Sequence, residues 1–126
     1  MILEGDKKEQ DLIHSIIQGM EDKKALDIVL IDMKKLNSSI CDYFVVCHGT
    51  SNTQVGAIAD EVIRRVHENT SEKPFSKEGY NTAEWILLDY SNVLVHIFQH
   101  EKREFYNIEG LWADAKIIFL EEQTQS

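Results

Sequence analysis

The sequence of 126 residues predicts a single compact α/β domain, in which a mixed β-sheet of about five strands packs against helices. Residues 43–48 form a continuous apolar run that ends in a histidine, which is typical of a strand covered on both faces. Apolar residues then recur at helical spacing over residues 55–66. Two further apolar segments, residues 84–89 and 93–98, are separated by three turn-forming residues, which predicts an antiparallel hairpin.

The N-terminal part of the chain predicts a helix followed by a strand. The helix is expected over residues 9–20, where the apolar residues form one stripe: Leu12, Ile13, Ile16, Ile17 and Met20. An apolar segment at residues 26–33 predicts the first strand, and residues 37–39 predict a turn. Residues 1–8 and the last four residues are polar, so we expect both ends to fray.

A turn of three residues, Gly49, Thr50 and Ser51, joins the second strand to the long helix. Ser51 and Gln54 have the spacing of a capping box, in which each side chain accepts a hydrogen bond from a backbone N–H of the first helical turn. Free N–H groups at a helix N-terminus also favour an anion. The segment lacks the second glycine and the lysine of a phosphate-binding loop, so a structural turn is the favoured interpretation.

The connection to the hairpin is predicted to be a loop. Residues 69–82 contain the only proline, and Gly79 is expected to form a sharp turn just before the next strand. The helix between residues 43–48 and residues 84–89 is the kind of crossover that joins parallel strands, so these two strands are expected to be parallel neighbours. Because the hairpin itself is antiparallel, the sheet is predicted to be mixed.

The C-terminal part of the chain predicts one more helix and a final short element. Helical spacing through Phe105, Ile108, Glu109 and Trp112 predicts a helix over residues 102–112. Residues 116–120 are apolar at their centre and are expected to form either a short last strand or an apolar tail. No repeat or second domain is recognised, so one domain over residues 1–126 is predicted.

The composition restricts the classes of function. A net charge of −9 argues against direct nucleic-acid binding, which requires clustered Lys and Arg, but it permits a basic protein partner. The alternative is that the acidity only maintains solubility. Cys41 and Cys47 flank one strand about 20 Å apart, too far for a disulfide. Without a signal peptide or a segment near the roughly 18 apolar residues of a membrane span, a soluble cytoplasmic protein without membrane contact is expected.

An enzymatic site is the weaker interpretation of the polar residues. Glu84 and Asp89 are five residues apart and face opposite sides of a strand, whereas a two-metal site needs carboxylates converging on ions about 4 Å apart. His48, His96 and His100 would bind a metal only if folding brought them together, and His96 is expected to be a hydrogen-bonded histidine on the sheet. We therefore predict no catalytic residues, no metal and no cofactor; a nucleotide- or metal-dependent enzyme is the alternative.

The hairpin contains the better candidate for a functional surface. Alternation along the first strand places Trp85 and Asp89 on the face opposite Ile86, and His96 of the second strand belongs to the same face as Trp85. A mixture of tryptophan, histidine and aspartate is typical of the residues that dominate protein–protein binding. The residues alone leave an alternative open, in which Trp85 lies in the core under a helix.

Three segments in order carry a resemblance to a known family. They are DYFVVCHGTSNTQVGAIAD (residues 42–60), EGYNTAEWILLDYSNVLVHIF (residues 78–98) and REFYNIEGLW (residues 103–112). Together they resemble the ribosomal silencing factors, or Iojap-like proteins, over residues 5–114, which leaves residues 115–126 as a C-terminal extension. The resemblance implies an α/β fold related to the nucleotidyltransferases but without their chemistry.

The resemblance also implies a function and a partner. Silencing factors bind the large ribosomal subunit through its L-fourteen protein, block association with the small subunit and lower translation when nutrients are short. The resemblance implies partner-binding roles for Glu78, Trp85, Leu87, Asp89, Tyr90, His96, Phe98 and Tyr106. The chain departs from the family pattern at Ser91-Asn92, where a glycine-acid turn is usual, and at His48, where a smaller residue is common. Exposed strand edges would also allow a homodimer.

Overall fold

The computed structural model describes residues 6–36 and 41–120, and these residues form one mixed sheet with helices on both faces. In chain order the elements are α1 (Lys7–Asp22), β1 (Leu26–Asp32), β2 (Tyr43–Gly49), α2 (Asn52–Thr70), β3 (Ser76–Glu78), β4 (Trp85–Asp89), β5 (Val93–Gln99), α3 (His100–Tyr106), α4 (Ile108–Leu111) and β6 (Lys116–Phe119). The strand order is β3-β4-β5-β2-β1-β6. Strands β2 and β5 are parallel, and the other neighbouring pairs are antiparallel. The mixed sheet is therefore confirmed, with six strands instead of about five.

Parts of the sequence predictions lie outside the described residues. These are the turn at residues 37–39, the first five residues of the N-terminal fray and the polar residues at the C-terminus. Within the described residues, no helix is long and apolar enough to cross a membrane. Cys41 and Cys47 are both buried and unpaired, as the distance along the strand predicts.

Helices α1 and α2 pack closely against each other on one side of the sheet. The apolar stripe predicted for α1 is buried, with Ile13, Ile16 and Met20 fully inaccessible to solvent. At Gly19 an added Cβ would lie 2.7 Å from the Cα of Val62, so only glycine permits this separation of the two helix backbones. This contact sets the distance between the two helices that cover the sheet.

The start of α2 confirms one half of the predicted capping box. The Ser51 hydroxyl accepts a hydrogen bond from the backbone N–H of Gln54 at 3.1 Å. The reciprocal bond differs by one residue, because the Gln54 side chain accepts from the N–H of Thr50 at 2.7 Å rather than from that of Ser51. The Gln54 amide also donates to the carbonyl of Lys23 at 3.1 Å, which ties the start of α2 to the end of α1.

The predicted pairing of the second strand is wrong, because the loop over residues 69–82 contains a strand. Strand β3 pairs with β4 in antiparallel orientation, and β4 pairs with β5 in the same way. The crossover helix α2 therefore leads to the edge strand β3, and the chain then reverses direction twice, through β4 and β5. As a result β5, and not the strand of residues 84–89, is the parallel neighbour of β2. A strand of three exposed residues carries no hydrophobic pattern that the sequence could show.

The turn between β3 and β4 confirms the role predicted for Gly79. Its φ of +92° is a conformation that side chains rarely adopt, and an added Cβ would lie 2.0 Å from the carbonyl oxygen of Trp85. The Gly79 carbonyl accepts a hydrogen bond from the N–H of Ala83 at 2.9 Å. The turn therefore brings β3 directly against the start of β4.

The single helix predicted over residues 102–112 is interrupted. Asn107 has a φ of +46°, which ends α3 and starts the short helix α4 in a new direction. As a consequence Ile108 is buried while Phe105, which the same helical stripe would bury, is 77% exposed. The last segment forms β6 along the edge of β1, so the strand is the correct alternative for residues 116–120.

The two faces of the sheet are covered to different extents. The face under α1 and α2, here called the helix-covered face, contains the larger apolar core, including Leu30, Val45 and Ile97. The opposite face, here called the open face, carries a smaller core around Phe44 and Phe98 and lies beneath α3, α4 and the segment after them. Half-buried apolar side chains surround this smaller core, which identifies the open face as the candidate site.

Candidate protein-binding face

The strand register collects the predicted binding residues on the open face. Leu87 of β4 lies directly opposite Glu78 of β3 on one side and His96 of β5 on the other. Trp85 lies opposite Phe98 in the same pair of strands. Because directly opposed residues point to the same face of a sheet, these five side chains form two rows on one face. Phe98 is fully buried and His96 is 5% exposed, so neither is placed for the direct partner contact that the family resemblance implies.

Aromatic rings fill the centre of this surface. The indole of Trp85 stacks on the ring of Phe98 with centroids 4.9 Å apart, and Tyr106 reaches it from α3 at 4.7 Å. Phe44 packs edge-on against His96 at 4.5 Å. The complete set of rings in mutual contact, here called the aromatic cluster, is Phe44, Trp85, His96, Phe98, Phe105, Tyr106 and Trp112.

The structure places Trp85 on the open face, which rejects a position in the core under α1 and α2 and leaves its binding role a prediction. It packs against the core of the open face and is only half-buried, so it does not lie in the core under α1 or α2. Its neighbour Ile86 points the other way and is fully buried. Trp85 therefore combines a fixed inner edge, held by Phe98 and Tyr106, with an outer surface open to solvent.

His96 is a hydrogen-bonded histidine on the sheet, as the sequence predicts. Its Nδ1 atom accepts a hydrogen bond from the indole Nε1–H of Trp85 at 3.1 Å. The ring is 5% exposed, and burial lowers the pKa of His96 to about 4. At neutral pH the imidazole is therefore uncharged, and its acceptor at Nδ1 requires the proton of the neutral ring to be on Nε2.

Tyr90 does not join this surface, contrary to the role that the family resemblance implies for it. It is 3% exposed and belongs to the core of the helix-covered face. The physical reason is alternation, since Tyr90 follows Asp89 and so faces the other side of the sheet. Burial raises the pKa of its phenol well above the usual range.

Asp89 lies at the end of β4 and stabilises the hairpin turn. Its carboxylate accepts a hydrogen bond from the backbone N–H of Ser91 at 2.7 Å. Ser91 has a φ of +73°, a conformation that glycine adopts at lower cost, so this bond offsets part of the backbone strain at Ser91. Asp89 is half-buried, and the rest of its surface borders the open face.

Exposed apolar side chains extend the surface beyond the predicted residues. Phe105, Leu111 and Phe119 are 77%, 74% and 75% exposed, and Tyr106, itself a predicted binding residue, is 43% exposed. They belong to α3, α4 and β6, the elements that border the open face. Phe105 and Leu111 are not among the predicted binding residues, since a continuous helix over residues 102–112 would bury Phe105 in its apolar stripe; both belong to the family segment REFYNIEGLW.

His48 anchors the elements that border the aromatic cluster. Its Nδ1 lies 2.8 Å from a guanidinium nitrogen of the buried Arg103, which also forms an ion pair with Glu109 at 2.9 Å. Burial, and then the Arg103 charge, lower the pKa of His48. These contacts connect β2, α3 and α4 beside a cavity of about 400 Å³. His48 thus holds α3 in position through its contact with Arg103.

The candidate catalytic and metal-binding residues are dispersed. The Glu84 carboxylate lies just before β4, 3.9 Å from the ammonium of Lys102, whereas Asp89 is at the other end of the strand. His48 and His100 are in ring contact at 4.8 Å, and His96 lies apart from them in the aromatic cluster. Across residues 6–36 and 41–120, no group of three or more His, Cys, Asp or Glu side chains is arranged to hold a metal ion.

Comparison with known proteins gives one family in sequence and a solved structure with the same fold. Residues 6–126 match the family model for the ribosomal silencing factor during starvation. The chain is 40% identical over 112 residues to ribosomal silencing factor RsfS from Halalkalibacterium halodurans, covering 89% of this chain and 94% of the relative. It is 42% identical over 101 residues to ribosomal silencing factor RsfS from Bacillus subtilis, covering 80% and 84%. A crystal structure of a Chromobacterium violaceum protein, 32% identical, superimposes with a TM-score of 0.77 over 93% of this chain and 89% of that chain.

Proposed function

The chain belongs to the ribosomal silencing factor family, and we propose that it represses translation by binding the large ribosomal subunit. In this proposal the open face binds the L-fourteen protein of the subunit, and the bound factor sterically prevents association with the small subunit. The physiological setting is the cytoplasm of a cell short of nutrients. The observation that carries the proposal is the half-exposed aromatic cluster centred on Trp85.

The energetics of protein recognition support this choice of surface. Tryptophan and tyrosine are enriched among the residues that dominate binding, and they act best where their inner edge is fixed before the partner arrives. Trp85 and Tyr106 are held in this way by their ring contacts. The neighbouring Phe105 and Leu111 would leave water on binding, and exposed apolar patches of this kind mark interaction sites.

The charge of the protein supports a basic partner. The chain carries a net charge of −9, and exposed carboxylates such as Glu78 and Glu104 lie at the border of the open face. Complementary charge accelerates the encounter of two proteins, while the apolar centre holds the complex together. A protein component of the ribosome is therefore a better fit to this surface than the ribosomal RNA, whose phosphates would be repelled.

We propose that the mechanism is steric and involves no catalysis. The relatives carry the name of silencing factors, and the candidate acids Glu84 and Asp89 are held at opposite ends of β4 by Lys102 and the hairpin turn. A bound protein can prevent two subunits from associating by its volume alone, without catalysing a reaction. The alternative, a nucleotide- or metal-dependent enzyme, would require acids that converge on one point.

Two equally exposed phenylalanines provide the test. Phe105 borders the open face, whereas Phe75 lies beside α2 and β3; their side chains are 77% and 80% exposed. We expect Phe105→Ala to weaken co-sedimentation with purified large subunits about tenfold, because an apolar contact of roughly 1.4 kcal/mol is lost. Phe75→Ala is expected to bind like the wild type. Neither change should lower thermal stability much, since both side chains are exposed.

The same variants test the mechanism of repression. Added wild-type protein and Phe75→Ala should both reduce the joining of large and small subunits, measured by light scattering, whereas Phe105→Ala should do so only at higher concentration. Equal binding by the two variants would reject the open face as the docking surface. Binding without any effect on subunit joining would reject steric occlusion.

A further inference from the structure

His96 is the buried residue that holds Trp85 in place. It lies in β5 directly across from Leu87, and its ring is 5% exposed between Phe44 and the indole. Its Nδ1 atom accepts the hydrogen bond of the indole Nε1–H at 3.1 Å. The ring is thus too deep to form a substantial contact with a partner, yet it touches the residue on which partner binding depends.

A directional bond at this point distinguishes the two main orientations of the indole about its Cβ–Cγ bond, since this torsion is broad and roughly two-fold. Trp85 stacks on Phe98 with the ring planes inclined by 26° and is tilted by 45° against Tyr106, and neither ring contact specifies where the Nε1–H points. Turning over would move the Nε1–H away from His96 and leave a donor without its acceptor. The hydrogen bond therefore selects one of the two orientations.

The Nδ1 acceptor of His96 is available throughout the physiological pH range. Nδ1 accepts only while the imidazole is neutral, with its proton on Nε2. The rings of Phe44 and Phe98 surround the imidazole, and burial alone lowers the pKa of His96. The histidine therefore acts here as a fixed acceptor rather than as a charged group.

We infer that His96 is a positioning residue, which fixes the orientation of the Trp85 indole through its Nδ1 and so prepares the open face for the ribosomal partner. This inference rests on the proposed function, since Trp85 is taken to contact the large subunit. The partner touches Trp85, and His96 contributes by reducing the number of indole orientations that binding must select.

Two substitutions separate the acceptor from the ring. His96→Phe keeps an aromatic ring among Phe44 and Phe98 but removes the acceptor. His96→Asn loses the ring but places an oxygen two bonds from Cβ, as Nδ1 is. We expect the indole Nε1–H of Trp85 to exchange with deuterium at least about tenfold faster in His96→Phe and within about threefold of wild type in His96→Asn. Affinity for purified large subunits should follow the same order.

A double-mutant cycle tests whether His96 acts through Trp85. In the background of Trp85→Phe, which has no indole N–H, His96→Phe should cause no further loss of affinity. An equal loss in both backgrounds would show that His96 supports the fold generally and would overturn the inference. Unchanged indole exchange in a folded His96→Phe variant would overturn it as well.

A measurement on the wild-type protein keeps the inference testable even if a variant does not fold. In the uniformly ¹⁵N-labelled wild type, the hydrogen bond should give a scalar coupling between Trp85 Nε1 and His96 Nδ1, detected by NMR. Sharp signals without this coupling would exclude the bond. The coupling and the exchange rate of the indole are measured on free protein, so they do not depend on whether the wild type co-sediments with large subunits. A failure of the proposed function is therefore distinguishable from a failure of this inference.

Discussion

The two faces of the sheet differ in how deeply their side chains are buried. On the helix-covered face, Ile86 and Leu88 of β4 are completely buried. On the open face, Trp85, Leu87 and Asp89 of the same strand are only half-buried. Alternate residues of five consecutive positions thus divide between the larger core and the face that we propose for recognition, and a substitution on one face is expected to leave the property of the other almost intact.

The lengths of the helices explain the difference. Helices α1 and α2 contain 16 and 19 residues and pack against each other along the sheet. Helices α3 and α4 contain only 7 and 4 residues, too few to extend across six strands. The open face is therefore left partly uncovered, and Trp85 and Leu87 of β4 remain partly exposed there.

The largest effect on stability is expected from Ile86→Ala. This side chain is fully buried on the helix-covered face, so its truncation should cost about 2–5 kcal/mol of unfolding free energy through lost burial and a cavity. Urea unfolding would measure the loss. The fraction of the variant that remains folded should bind large subunits with wild-type affinity; weaker binding by folded protein would show that the two faces are not independent.

Trp85→Ala is the matched substitution on the open face, and its main effect should be on binding. Removal of a tryptophan anchor weakens binding by about 2–4 kcal/mol, or roughly 30-fold to 1,000-fold. The loss of unfolding free energy should be smaller than for Ile86→Ala, because the indole is only half-buried. Co-sedimentation and urea unfolding on the same samples measure both quantities. A larger loss of stability than in Ile86→Ala would assign Trp85 to the core.

Acidification should destabilise the protein through the open face. The pKa of His96 is about 4 in the folded protein and 6.5 in the unfolded chain, so the unfolded chain binds the proton first as the pH falls. Stability is fully present above about pH 6.5 and is lost down to about pH 4. Between pH 7 and pH 5 the expected loss is about 2 kcal/mol from His96. Urea unfolding of the wild type at both pH values measures it.

The matching control for this loss is His96→Phe, which has no titrating group at that position. Its stability should change less than that of the wild type over the same pH interval. His48 has its pKa lowered too and destabilises in the same direction, but it is present in both proteins and cancels in the comparison. Identical pH dependence in the two proteins would show that His96 is not a neutral buried group.

The smallest effect concerns the rate at which the open face meets its partner. With a net charge of −9, association with a basic ribosomal protein should slow severalfold with added salt, because the screening length falls from about 30 Å at 0.01 M to about 8 Å at 0.15 M. Stopped-flow association rates would show this. Phe105→Ala should keep the same salt dependence, since it changes no charge; a flat profile would mean that the acidity only maintains solubility.

Much of this organisation could be predicted from local patterns in the chain. The alternation over residues 85–89 assigns Trp85 and Ile86 to opposite faces, and the structure confirms both. The Ser51 cap and the turn at Gly79 were also predictable, because each depends on a few adjacent residues with specific backbone requirements. The family motifs pointed to β4, β5 and α3, which contribute Trp85, Phe98 and Tyr106 to the aromatic cluster.

Other features depended on residues far apart in the chain. The parallel neighbour of β2 is β5 because the short strand β3 inserts two extra reversals, and a strand without an apolar pattern leaves no local signal. The break at Asn107 turns Phe105 outward, although asparagine is among the residues that tolerate this conformation and was a weak clue. Tyr90 was assigned to the binding surface by its motif, whereas its position in the alternation buries it.

The sequence by itself determined which residues share a face, where α2 begins, and which family the chain resembles. Only the tertiary structure decided which of those faces remains open, because exposure depends on how far α3 and α4 extend over a sheet assembled from distant segments. It also brought His96 to the indole of Trp85 and His48 to Arg103. The periodicity of apolar residues predicts which way a side chain points, whereas its burial and its contacts depend on the packing of the whole domain.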